Sequence, residues 1–411
     1  MRQAVPSPFE QWPLPRVRET FRYYLRRARR WGQVLTEYRP GLTHPLPGKR
    51  RVLVVRLDAI GDFVLWSGAA RALRAWLGPD AHVTLAANAT WADLARDANI
   101  ADEVWPVRRG ALEMDGTYRA EMRRRVAGGR FDLAINPRYT REMLFGDSMM
   151  RWTRAKDRIG MIGEGLLLPE RERRWADTWY TQLLPTSAEF MHESERHAEF
   201  LRGIGVPLAG IPAPSLNVPH LSVAEGEELA GDYFVVFPGA SLLEHRWAPS
   251  GFADVALHIQ RRTGWRPVLL GDNADLGLTN AVAASVPGAV NLAGRTSVPI
   301  FASLIQGARL VVTNDTSAVH LAAATGVHAI CITGGWHWQR FVPYPESLGE
   351  IAQRVHAVSM VDEMSCFKCN GNCIIPHPPR SPRPCISRVT VARAIATVDD
   401  VLSTLGVKTD G

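Results

Sequence analysis

Two stretches of this chain put carboxylates and hydroxyls beside small residues where an apolar run gives way to a helix. At such turns free backbone N–H groups and the positive end of a helix dipole can hold an anion. The first is Leu57-Asp58-Ala59-Ile60-Gly61-Asp62-Phe63. Its glycine allows a sharp turn and a close ligand, and Asp62 falls near the helix start, either facing the cleft or as a plain helix cap. The second is Thr313-Asn314-Asp315-Thr316-Ser317-Ala318-Val319-His320. Thr316 and Ser317 add hydroxyl donors at a helix start suited to a diphosphate, with His320 one turn further on; the plain reading is a cap by Asp315 or Thr316 and a core histidine. A third segment, Phe237-Pro238-Gly239-Ala240-Ser241 followed by His245-Arg246-Trp247, is another small-residue turn with a cation beside it. There is no G-x-G-x-x-G and no G-x-x-x-x-G-K-[ST], so a dinucleotide-dependent dehydrogenase and a P-loop nucleotidase lose their support.

The elements that must position these turns alternate in type. From Arg51 short apolar runs alternate with helical stretches, the pattern of βα units on a mostly parallel sheet. Strands are expected at Arg51–Arg56, His82–Ala87, Glu103–Val107, Phe131–Asn136 and near Arg158–Met161, with helices at Tyr118–Ala127 and about Glu189–Gly203. Residues 205–219 are rich in Pro and Gly and interrupt the series, which places a domain boundary there. The alternation restarts with strands at Tyr233–Phe237, Arg266–Leu270, Ala289–Leu292, Leu310–Thr313, Ala329–Thr333 and Val355–Val358. Helices are expected near Phe252–Thr263, Ala274–Ser285, Ala318–Thr325 and Val389–Leu405. The expected α/β architecture is therefore two Rossmann-like doubly wound domains facing a cleft, residues 51–205 and 220–385, with a C-terminal helix and tail at 386–411 and a basic helical arm at 1–50.

The chain has 411 residues, 46% of them hydrophobic and 22% charged, which fits two or three ordinary globular domains. Its net charge of +7 is concentrated in residues 1–50, where eleven Lys or Arg face three acids, so the body is close to neutral. That distribution argues against a nucleic-acid binder. Residues 18–39 space Phe21, Tyr24, Leu25, Trp31 and Leu35 as a basic amphipathic helix, either packed on the body or held at an anionic membrane surface. The N-terminus has no apolar signal core, so a cytoplasmic location, peripheral at the inner membrane, is expected.

Four of the five cysteines, Cys366, Cys369, Cys373 and Cys385, form a C-x2-C-x3-C-x11-C cluster. In a cytosolic chain such a cluster suggests a metal more than disulfides, but the spacing is not that of a zinc ribbon, and free thiols stay open beside a structural metal such as zinc. Trp336 and Trp338 lie in a Gly-rich turn after a strand, where sugar or base stacking is one use and packing the other.

Taken in order, RLDAIGDFVLWSGAARAL, HESERHAEFLRGIGVP, FPGASLLEHRW and NDTSAVHLAAATG resemble glycosyltransferase family 9, the heptosyltransferase-like enzymes of the GT-B fold, over about residues 51–405. GGWHWQRFVPYPE followed by the cysteine motif resembles a branch of it. The resemblance implies an inverting sugar transfer from a nucleotide donor, often ADP-heptose, to a lipid-linked glycan acceptor such as lipopolysaccharide, with no metal required for catalysis. Asp62 then matches the family's general base, and Ser241, His245, Arg246, Asp315, Thr316, Ser317 and His320 match its donor site. Two positions depart: Ser317 stands where the family has Gly, and His245 where its Lys meets the diphosphate. A non-catalytic nucleotide-sugar scaffold and a GT-B sugar-nucleotide epimerase are the competing readings.

Overall fold

The computed structural model describes residues 32, 34, 37, 48–164, 169–219, 229, 231–371 and 373–407. Its first sheet contains β1 (Arg50–Arg56), β2 (Ala81–Asn88), β3 (Glu103–Val107), β4 (Leu133–Asn136), β5 (Asp157–Met161) and β6 (Gln182–Leu184), in the order β3-β2-β1-β4-β5-β6. The second contains β7 (Tyr233–Phe237), β8 (Arg266–Leu269), β9 (Val290–Asn291), β10 (Val311–Asn314), β11 (Ala329–Ile332) and β12 (Val355–Val358), in the order β12-β11-β10-β7-β8-β9. Every pairing in both sheets is parallel. Such strands are covered by helices on both faces, which is why the centre of β1 (Val52 to Val55), β7 and β11 read as unbroken apolar runs and not as alternations. Each half has the dinucleotide-binding strand order, with its switch point between β1 and β4 or between β7 and β10.

The expected strands are present, three of them with the expected bounds (Glu103–Val107, Tyr233–Phe237 and Val355–Val358) and the others with ends within two residues. The sequence reading missed β6, whose Gln-Leu-Leu is too short to show a period. The expected helix 189–203 begins at Glu193: the His192 ring accepts the Ser194 N–H, and Glu195 accepts the His192 N–H, so the cap fixes the start.

The two halves meet through α1 (Ile60–Leu77), α2 (Glu193–Gly203) and α3 (Ser317–Ala324), and one apolar core runs through both. The Pro/Gly-rich stretch is no loose tether. Leu216 and Val218 are buried, the Leu216 N–H donates to Ala324 O at 3.0 Å, and the Ser215 N–H to Ser67 Oγ at 3.0 Å, so the segment is stitched to α1 and α3 together. Gly68 makes room for it, since a Cβ there would stand 2.2 Å from Ala213 O.

Gly61 proves to serve a contact between halves instead of the sharp turn its sequence suggests. A Cβ on it would lie 2.9 Å from His320 Cδ2 and 3.6 Å from Ser317 Cα. Gly61→Ala is therefore expected to push α1 away from α3, costing about 1–3 kcal/mol in denaturant unfolding as an overpacked contact. An unchanged midpoint would show that the contact has slack.

Only Gly32, Val34 and Glu37 of the expected 18–39 helix are described. Val34 is fully buried, Arg119 donates to Glu37 at 2.6 Å and the Trp152 indole N–H donates to Glu37 at 3.0 Å. These residues pack on the first half, while the membrane-facing expectation for the rest of the arm lies outside the described residues. Among the described residues no helix is long and apolar enough to cross a membrane.

Candidate active site

Three of the sequence-selected turns stand at the carboxyl ends of switch-point strands: Asp58–Asp62 after β1, Phe237–Ser241 after β7 and Asp315–Ser317 after β10. Because Gly61 touches the start of α3, the first turns of α1 and α3 converge, and two positive dipole ends come together. An anion there is attracted by both.

Asp62 does cap its helix, accepting the Ala59 N–H through Oδ2 at 3.1 Å. It also carries a raised proton affinity. Burial and then the nearby Asp58 carboxylate push its pKa up to about 7, against the opposing pull of Arg56 and Arg138. The floor beneath it is a charge network that no motif reported. Arg56 pairs with Asp58 at 2.9 Å and reaches the His197 ring at 3.2 Å, and Arg138 meets Asp58 at 3.4 Å and also pairs with Glu142. These residues are scattered over the sequence, and only the β1–β4 adjacency gathers them.

On the second half, Thr316 is the cap of α3, its Oγ1 accepting the Ala318 N–H at 3.3 Å. Ser317 opens the helix, half-buried against Gly61. Asp315 accepts from Thr333 Oγ1 at 3.4 Å, and burial raises its pKa to about 6. His320 is a core histidine, as its plain reading has it. Its Nδ1 meets the Tyr344 hydroxyl at 2.9 Å, and burial, with His192 nearby, lowers its pKa to about 3, so it is neutral at pH 7. Asn314, which sequence reasoning passed over, ties the site together: its amide donates to Pro238 O at 2.8 Å and its carbonyl accepts the Trp247 N–H at 3.1 Å, joining the β7 turn to β10.

His245 and Arg246 divide their tasks unexpectedly. Arg246 braces the β7 turn, donating to Ala240 O from Nε at 2.8 Å and from Nη2 at 2.7 Å and pairing with Asp275 at 3.4 Å. Gly239 is needed for this brace, because a Cβ there would strike the Asp275 carboxylate at 2.3 Å. His245 stands edge-on to Trp336, ring centroids 4.5 Å apart, and burial followed by the charge of Arg383 lowers its pKa to about 4. It brings no positive charge at neutral pH. Ser241 is exposed on the same turn. Trp336 thus forms a wall beside His245, while Trp338 packs edge-on against Phe367 at 5.2 Å.

A strut crosses between the halves. Arg340, on the loop after β11, donates from Nε to Glu193 at 2.7 Å, from Nη1 to Glu164 at 2.8 Å and from Nη2 to Thr140 at 2.7 Å. Its backbone carbonyl accepts the Glu193 N–H at 2.9 Å, and the His192 ring meets Phe341 O at 3.0 Å. Neither partner stood out in the sequence, since a lone Arg and Glu carry no spacing signal.

All four clustered cysteines are unpaired and line one pocket with Gly335, Met364 and Arg383. Cys385 Sγ packs against Gly334, where a Cβ would come within 2.7 Å, and burial raises its pKa. Among the described residues no three His, Cys, Asp or Glu side chains are arranged to hold a metal ion, so the donor set is present but not set as ligands.

Two parallel Rossmann-like sheets in one chain, with a titratable carboxylate after β1 and small-residue turns after β7 and β10, have the GT-B architecture. The family model for glycosyltransferase family 9 (heptosyltransferase) matches residues 120–369, and the chain belongs to that family. It is a glycosyltransferase of the heptosyltransferase type. Among solved structures it is similar to a family 9 glycosyl transferase from Veillonella parvula, with 18% identity, 88% of this chain and 99% of that one covered and a TM-score of 0.65. It is similar also to the ADP-heptose lipopolysaccharide heptosyltransferase II of E. coli, with 16% identity, 87% and 99% covered and a TM-score of 0.62. The iron-containing dodecameric glycosyltransferase TibC of enterotoxigenic E. coli shares 14% identity over 88% of this chain and 78% of that one, with a TM-score of 0.50. No curated protein matches the chain.

Proposed function

We propose that the chain is an inverting glycosyltransferase that moves heptose from ADP-heptose to a lipopolysaccharide-type or other glycan acceptor. The observation that carries this reading is the juxtaposition of Asp62, its pKa near 7, with the start of α3 across the Gly61 contact. Asp62 Oδ1 takes the proton of the acceptor hydroxyl as that oxygen attacks the anomeric carbon. The bond from that carbon to the diphosphate oxygen breaks on the opposite face, the nucleoside diphosphate leaves with the electron pair, and the configuration inverts. The leaving diphosphate is met by the N–H groups at the start of α3 and by the hydroxyls of Thr316, Ser317 and Ser241, so the chain's own groups take up the charge without a catalytic metal. Asp315 orients the turn, with Arg246 and His245 behind the phosphate site.

The family membership supports the sugar-transfer class, and the named substrate of the E. coli relative supports the heptose choice. The reading includes a cytoplasmic enzyme held at the inner membrane by the basic arm, residues 18–39. For Cys366, Cys369, Cys373 and Cys385 the two readings are free thiols, which their present arrangement favours, and structural iron or zinc, for which the iron of TibC is the support; elemental analysis of the purified chain decides between them.

The test of donor and site is a calorimetric titration with ADP, UDP and GDP, repeated on Asp315→Ala. Selective ADP binding, weakened about tenfold or more by the substitution, is expected. Binding of none of the three would favour the non-catalytic scaffold, and release of free sugar without a glycosylated product would favour the epimerase.

A further inference from the structure

We propose that Arg383, carried in on the cysteine loop, supplies the diphosphate-binding cation of the donor site. The inference rests on the nucleotide-diphosphate reading above. Among the described residues six arginines are buried, and five of them (Arg56, Arg119, Arg141, Arg196 and Arg340) hold a carboxylate. Arg383, 8% exposed, does not, and its Nε and Nη1 are buried without a hydrogen-bond partner. A buried guanidinium without an anion is costly, and a partner is expected at such a place.

Its position says which partner. The guanidinium carbon lies 3.7 Å from the centre of the Trp336 ring, and the Arg383 N–H donates to Glu244 O at 3.0 Å, one residue before His245. The Trp336 face offsets part of the desolvation and orients the planar fork. The His245 ring stands perpendicular to that same indole and is neutral, while Arg246 spends Nε and Nη2 on Ala240 O. The cation missing from the His245 position is thus restored beside it by a residue more than 130 positions later. A guanidinium suits the task, because it can meet two phosphate oxygens at once. Arg383 also borders the four-cysteine pocket, so the loop that holds the cysteines sets the position of the cation.

The experiment compares ADP with adenosine on the full chain, as wild type, Arg383→Gln, Arg383→Lys and Arg383→Gln combined with His245→Lys. Arg383→Gln is expected to weaken ADP about tenfold or more and leave adenosine unchanged, with Lys at 383, or Lys at 245 in the Gln background, recovering most of the loss. Equal losses of ADP and adenosine, or an unchanged ADP affinity accompanied by altered thiol reactivity or metal content, would overturn the proposal and assign Arg383 to the cysteine loop. Where Arg383→Gln fails to fold, Arg383→Lys decides: ADP binding kept at adenosine parity supports the cation role, and joint loss sinks it. Wild-type protein that binds no nucleotide diphosphate would sink the donor reading itself, a result distinct from these.

Discussion

Replacing Asp62 by Asn is expected to lower kcat about a thousandfold, within the range that a positioned general base contributes, while ADP affinity stays within about twofold. The separation follows from where the residue sits. Asp62 belongs to the first half and makes no bond to the α3 turn, so the donor loses nothing when the carboxylate becomes an amide, and Asn can still accept the Ala59 N–H that Asp62 accepts. The pH dependence supplies a second readout. The base acts only when ionised, and burial and Asp58 have pushed its pKa up to about 7, so wild-type kcat/KM should rise with pH through about 7 and be lost below it. Asp58→Asn removes the largest charge that raises it and should move that limb to lower pH. It also leaves Arg56 and Arg138 short of a buried partner, so the shift is to be read from the position of the limb and not from its height. If Asp62→Asn weakens ADP as much as it slows turnover, Asp62 is a structural cap.

Arg340→Met is the largest expected stability effect. Burial alone would raise the Glu193 carboxyl, but Arg340, then His197 and Arg56, outweigh it and hold the pKa down to about 2. Glu193 therefore lends stability that is complete above its unfolded value of 4.5 and is lost as the pH falls toward about 2. Without Arg340 a buried carboxylate loses its partner, and the cost expected is about 3–5 kcal/mol. Replacing both by apolar residues, Arg340→Met with Glu193→Met, should recover much of that, since a buried ion pair is often near neutral against a well-packed apolar pair. Denaturant unfolding of the two variants at pH 7 checks both statements. A single variant that unfolds with wild type would show that the strut is loose. Because Arg340 bridges the halves, donor turnover should fall in the single variant even at temperatures where it remains folded.

Much of this was legible in the sequence. The parallel α/β class came from apolar runs alternating with helical stretches, and β1, β7, β10 and β12 fall within a residue or two of where composition places them. Strands buried on both faces must be apolar throughout, so they announce themselves. The turns after β1, β7 and β10 announced themselves for the opposite reason, as polar residues between apolar runs at strand-to-helix junctions. Thr316 was readable as a cap because capping is local, set by atoms two residues apart.

The rest depended on contacts between residues remote in the chain. Nothing near Gly61 says that its missing Cβ makes room for His320, 259 positions away, and nothing near Arg340 says that it ends on Glu193 and Glu164. The charge of His245 could not be read from its type, because a histidine at pH 7 is decided by burial and by neighbours such as Arg383 that only folding supplies. By itself the sequence determined the two doubly wound halves and the turns that close their switch-point strands, since these follow from short-range pattern, and the order of its motifs carried the resemblance to the family. The tertiary structure decided which carboxylate holds a proton near neutral pH, which arginine is left without a partner and how the halves lock together. Those are properties of electrostatic fields and close packing, which exist only once distant segments share the same space.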